Sequence, residues 1–101
     1  VVFMAGSRKL NDFINEVVRE LKVNGFVGQK CVCEYSPISV VAFNFSEVKF
    51  IQAKACKKNG ESVLRRELKA LKSLVPFVPS NVSLEVWVKE DRKEVLRGVV
   101  E

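Results

Sequence analysis

Few side chains in this sequence are equipped for chemistry, and the ones missing narrow the field first. There is no histidine, which excludes His-based triads, imidazole acid–base steps and most zinc enzymes. The three cysteines are Cys31, Cys33 and Cys56. Cys31 and Cys33 alternate on an extended segment and point to one side, but three thiols fall short of the four ligands of a structural zinc site. They read instead as buried apolar cysteines in a reducing compartment. What remains is cationic and amide chemistry. Gln52 and Lys54 stand two apart in an alternating segment, so they share one face of a strand. A lysine so placed suits contact with a phosphate; the plainer reading is a long side chain reaching into solvent.

The charge around that lysine is concentrated. The chain carries 17 basic and 12 acidic residues, a net charge of +5. From Lys49 to Lys72 eight basic residues (Lys49, Lys54, Lys57, Lys58, Arg65, Arg66, Lys69, Lys72) face only Glu61 and Glu67, so this stretch holds +6 and the remainder is close to neutral. A patch of this kind attracts a polyphosphate backbone and releases its counterions. A solvated helix face followed by a Lys-rich turn is the alternative.

The elements that must position these groups follow from periodicity. Leu10, Phe13, Ile14, Val17, Val18 and Leu21 form the stripe of an amphipathic helix, predicted from Arg8 to Asn24 with Ser7 as N-cap and Gly25 as its stop. Strands are expected over Phe26–Tyr35, Ser39–Phe45 and Val48–Cys56. The second is largely buried, and the third carries Phe50, Gln52 and Lys54 on one face with Ile51, Ala53 and Ala55 on the other. After a Lys57–Gly60 loop, Glu61–Val75 reads as a second helix that buries Leu64, Leu68, Leu71 and Val75 and turns Arg65, Arg66, Lys69 and Lys72 outward; Pro76 and Pro79 end it. Val82–Lys89 alternates as a half-buried strand, Glu90–Lys93 turns, and Glu94–Val100 is a final strand. Phe43, Phe45, Phe50 and Trp87 are of a type that stacks on bases; most of them are expected instead to fill the core or a subunit interface. The order α-β-β-β-α-β-β, with a helical crossover between the third and fourth strands, predicts a mixed five-stranded α/β sheet flanked by helices, with those two strands parallel and the early meander antiparallel.

Length and composition agree. With 101 residues and 48% hydrophobic content, residues 1–101 are expected to form a single domain with a core of its own. No stretch reaches the length of a membrane span, and Val1–Gly6 is too short for the apolar region of a secretory signal. A cytoplasmic protein is the expectation.

Three stretches carry a resemblance to a known family. Ser7-Arg8-Lys9 opens a helix that ends in Asn24-Gly25-Phe26. Pro37-Ile38-Ser39-Val40-Val41-Ala42 looks like a Pro-Asp-hydrophobic-hydrophobic-Ala strand. Phe50-Ile51-Gln52-Ala53-Lys54-Ala55 looks like a hydrophobic-Ile-Glu-x-Lys-Ser strand followed by a Lys-rich loop. In order and spacing, across nearly the whole chain, this resembles the archaeal Holliday junction resolvases of the restriction-endonuclease-like nuclease superfamily.

The resemblance implies a fold, a metal-dependent phosphodiester hydrolysis, DNA four-way junctions as ligand and a homodimer. The high apolar fraction of so short a chain also fits a subunit that buries surface against a copy of itself. Mg²⁺ wants carboxylate oxygens, and the family supplies an Asp on the second strand, a Glu on the third and a Glu in the first helix. Here those positions fall at Ser39 (Ile38 if the Pro is aligned strictly), Gln52 and Ile14. Only Lys54 matches. The degenerate site of Ser39, Gln52 and Lys54 has no anionic ligand, so it is expected to repel Mg²⁺ and no cofactor is expected. Asp12 and Glu16 face away from the Ile14 position, Glu47 lies too far along, and Glu34 is the carboxylate best placed to rescue a metal site. The preferred reading is a non-cutting relative that binds branched DNA, or partners an active relative, through Arg8, Lys9, Lys54, Lys57, Lys58, Arg65, Arg66 and Lys69. The alternatives are an active divergent endonuclease using Gln52, Lys54 and Glu34, and a structural dimer without nucleic-acid binding.

Overall fold

The computed structural model describes residues 3–31 and 37–101. Helix α1 spans Phe3–Val23 and buries Phe13, Val17 and Leu21, with Leu10, Ile14 and Val18 partly covered beside them, so the predicted stripe is the buried one. It starts earlier than expected, which places Ser7 inside the helix and not at its cap. Met4 and Ala5 are strong helix formers and a single Gly6 costs only about 1 kcal/mol, so the helix runs back through the serine. Its end is as expected. Gly25, at φ 87°, donates its N–H to the Lys22 carbonyl at 3.1 Å, and Phe26 donates to Leu21 at 2.9 Å. This pair of bonds satisfies the last carbonyls of a helix and needs a left-handed residue, which glycine adopts without a steric penalty.

Strands β1 (Val27–Lys30), β2 (Val40–Phe43), β3 (Val48–Cys56), β4 (Val82–Glu90) and β5 (Leu96–Val99) form one sheet in sequential order. β3 and β4 are parallel, and the other pairs are antiparallel. The mixed five-stranded sheet and the order α-β-β-β-α-β-β are therefore those read from the sequence. The short strands are shorter than expected. β2 stops at Phe43 because Asn44 turns the chain: its Oδ1 accepts the N–H groups of Ser46 at 2.9 Å and Glu47 at 3.0 Å. Most of the Phe26–Tyr35 strand beyond β1, with Cys33 and Glu34, lies outside the described residues.

Helix α2 (Gly60–Leu71) continues as a 3₁₀ segment, Lys72–Phe77, with Pro76 inside it. The α-helix was expected to reach Val75. Pro76 has no N–H for the carbonyl four residues earlier and clashes with it, so α-type bonding stops at Lys72, whose own N–H already bonds three residues back, to Lys69. Val75 consequently leaves the helical stripe and is exposed.

The two helices take opposite faces of the sheet. α1 packs on a core of Val40, Ala42, Ile51, Ala53 and Trp87; α2 packs on Val86 and Val88 through Leu64, Leu68 and Leu71. On the α2 side the cover lies mainly over β4 and β5, and Cys56 at the end of β3 packs against the same cluster. Among the described residues, no helix packs on the same face of β1, β2 and the first half of β3. There Val27, Phe43 and Val48 stand side by side in register, followed by Val41 and Phe50; Val27 is 58% and Phe43 46% exposed. Of the four aromatics expected mostly in a core or interface, Trp87 is in the core, Phe50 is half-buried, and Phe43 and Phe45 are exposed. The Asn44 turn carries Phe45 off the sheet.

Candidate functional site

Ser39, Gln52 and Lys54 come together on this second face. The register sets Gln52 beside Val86 and Lys54 beside Val88, and Ser39 precedes Val40, which pairs with Ile51. Ser39 is fixed on three sides. Its N–H goes to the Ile51 carbonyl at 2.8 Å, its carbonyl accepts from Cys31 at 2.9 Å, and its Oγ accepts the Ala53 N–H at 3.0 Å. The hydroxyl thus replaces a backbone carbonyl where β2 ends along β3. Gln52 is 6% exposed, and its Oε1 has no hydrogen-bond partner among the described residues. A buried acceptor without a partner costs about 1–3 kcal/mol, so this amide is not placed there for stability. Lys54 is half-exposed.

The group that the family resemblance implies is a divalent ion, and the described side chains at these positions do not fit one. A hydroxyl already engaged, a neutral amide and an ammonium give no negative charge, and a hard cation requires it. Among the described residues no cluster of three or more carboxylate or thiol groups forms. Ile14 packs into the α1-side core, on the opposite face of the sheet from Gln52. Asp12 and Glu16 line a shallow hollow with Lys9, Lys89, Asp91 and Arg92, away from the Gln52 face as expected. Cys31 and Cys56 are free and half-buried, and burial pushes the Cys56 thiol up, with Glu90 and Asp91 adding to it.

The basic residues divide into two groups. At the C-terminal end of β3 and β4, Lys9 pairs with Asp91 and its ammonium holds that carboxyl below its usual range, helped by Lys57 and Arg92. Lys93 pairs with Glu90 at 3.0 Å. Glu90 in turn accepts the Gly60 N–H at 2.8 Å, which holds its carboxyl low, with Lys93 adding to the effect. This bond serves as the cap of α2, because Asn59, at φ 63°, makes none with its side chain. Gly60 allows the approach: a Cβ there would lie 2.9 Å from Glu90 Oε1. The second group lies on α2 and the first residue of the 3₁₀ segment, where Arg65, Arg66, Lys69 and Lys72 are all exposed, as predicted. Among the described residues only Arg66 of these four is in an ion pair, with Glu67.

Sequence reasoning missed Arg92 and Lys93 as part of the basic end of the sheet. It also counted Lys49 as a patch cation, whereas Lys49 is used internally. Its Nζ lies 2.5 Å from Glu85 Oε2 and 5.4 Å from the Phe26 ring centroid. Glu85 also accepts from Ser83 at 2.9 Å and from the Trp87 indole N–H at 3.0 Å. Burial pushes the Glu85 carboxyl up, and these bonds, Lys49 first, outweigh it and leave the group below its usual range. The alternation of Glu85 with Trp87 and Ser83 in a strand beside Lys49 was the available signal.

No protein-family model and no curated protein sequence matches the chain. Among solved structures the fold is similar to that of Hjc, a Holliday junction resolvase from the archaeal hyperthermophile Archaeoglobus fulgidus. The TM-score is 0.58 at 18% identity, covering 88% of this chain and 74% of that one. The chain therefore has the resolvase-like nuclease fold.

Proposed function

We propose that this protein is a resolvase-related DNA-binding protein that holds branched duplexes without cutting them. The observation that carries the reading is the combination of this fold with a site of Ser39, Gln52 and Lys54 that, among the described residues, offers a metal no anionic ligand. Hydrolysis of a phosphodiester by this type of site depends on a bound divalent ion to activate water and neutralise charge. Removing the carboxylates removes the ion while leaving the scaffold and the cations that meet phosphates. Two copies would present two such surfaces to the arms of a junction. The uncovered face over β1–β3 supports self-association, since an uncharged apolar patch on a molecule of net charge +5 can meet its own copy without like-charge repulsion. In this reading the protein acts in the cytoplasm. Among the described residues no helix is long and apolar enough to cross a membrane.

The test is a gel-shift series with a synthetic four-way junction at rising salt, run beside a cleavage assay with Mg²⁺ and Mn²⁺. Retention that weakens steeply with salt, and no product, is expected. Metal-dependent cleavage abolished by Lys54→Ala would replace this reading with the active endonuclease. Failure to retain any DNA or RNA at low salt would leave a structural dimer.

A further inference from the structure

We infer that nucleic acid is held along the β5-facing flank of α2, by Arg65, Lys69 and Lys72, and that the nuclease-type pocket around Lys54 has no part in holding it. The inference rests on the DNA-binding reading and divides the basic residues within it. Arg65, Lys69 and Lys72 follow one another at helical spacing and fall within about 60° of arc on α2. Together with Leu68 they line a hollow of about 490 Å³ whose other wall is Val99, Val100 and Glu101. That places the stripe on the flank toward β5. All three are exposed, and none takes part in an ion pair within the described residues, whereas Lys9, Lys49, Arg66, Lys93 and Arg97 are each matched to a carboxylate. Glu101 is the one carboxylate lining this hollow.

The pocket lies elsewhere. Lys54 is on β3, β4 separates β3 from β5, and α2 sits over β4 and β5. The body of the helix therefore stands between Lys54 and the stripe. The neighbours of Lys54 on its face are Gln52 and Cys56 along β3 and Val88 across on β4. This surface is apolar and ill suited to a phosphate backbone. Arg65 to Lys72 rises about 10 Å along the helix, enough to accompany roughly three phosphates of one strand. A backbone so placed would meet these three cations and, at the Arg65 end, Lys58, which lines a neighbouring hollow with Arg65.

The experiment compares full-length wild type with Arg65→Ala/Lys69→Ala/Lys72→Ala and with Lys54→Ala on the same duplex and four-way junction, by fluorescence anisotropy at several salt concentrations. Alanine on an exposed helix face favours the helix, and circular dichroism confirms folding. Three lost phosphate contacts reduce the slope of log K against log salt by about 2.7, so a fourfold rise in salt weakens wild type about 40-fold more than the triple variant. Lys54→Ala is expected to match wild type. Loss of binding in Lys54→Ala with the triple variant unchanged would overturn the inference and leave the DNA-binding reading standing. Failure of wild type to bind either DNA would overturn both. Equal binding of polyglutamate with the same slope would remove nucleic acid as the occupant.

Discussion

Lys49→Met separates the internal use of charge from the external one. The Lys49 side chain is 21% exposed and its partner Glu85 8%, so the substitution strands a carboxylate in the sheet with only Ser83 and Trp87 to accept from. Breaking a buried pair by removing one member costs about 3–5 kcal/mol, and the two remaining hydrogen bonds put the loss near the lower end. For a domain of this size about 3 kcal/mol lowers the melting temperature by roughly 12–24 °C, a large share of the ~5–15 kcal/mol that holds such a domain together. The pH dependence gives a sharper test. In wild type the Glu85 carboxyl titrates below its ordinary value of 4.5 in the fold. Its contribution is complete above that value and is lost as pH falls through the lowered one. Without Lys49, burial dominates and the folded carboxyl titrates above its unfolded value. Its unfavourable charge is then relieved as pH falls. Thermal melts of both proteins at about pH 7 and about pH 4 should therefore show a gap that narrows in acid. A loss under ~1 kcal/mol, or a gap of constant size at both pH values, would refute the reasoning and make the pair an ordinary surface contact. The same variant, used below its melting temperature, should bind DNA with an unchanged salt slope.

Three further outcomes follow from the packing. Gly60→Ala puts a Cβ against Glu90 Oε1 and should destabilise by about 1–3 kcal/mol in urea titration; an unchanged midpoint would show that Glu90 swings aside without losing its role as cap. Ser39→Asp/Gln52→Glu restores the missing anionic ligands, and Mn²⁺ should raise the melting temperature of this double variant, but not of wild type, by about 4 °C or more, the shift of ~1 kcal/mol. A wild-type response of the same size would mean that a cation already binds. Phe43→Glu places a charge on the uncovered face and should shift sedimentation velocity from dimer to monomer; a monomeric wild type at high concentration would remove self-association from the proposed function.

What the sequence made legible depends on how far each signal reaches. The α1 stripe, the Gly25 stop and the parallel β3–β4 pair were legible because periodicity and crossover length are local or topological facts. Strand ends were less so. The Asn44 side chain ends β2 by bonding two residues ahead, a choice that Asn makes in some contexts and declines in others. The α2 boundary lies a turn before Pro76 because the carbonyl that proline deprives of a donor is that of Lys72, four residues earlier. For the site, Gln52 and Lys54 share one face as β periodicity requires, while Ser39 joins them through the β2–β3 register, which periodicity does not supply. What could not be read was which cations remain free. Lys9, Lys49 and Lys93 look the same in sequence as Lys69 and Lys72, and each is matched by a carboxylate brought from β4 or the turn after it. A net charge of +6 over one stretch is thus a poor measure of a binding surface. The unmatched cations define it, and those of α2 that lack a carboxylate gather on its β5 flank, away from the pocket that the motif marks.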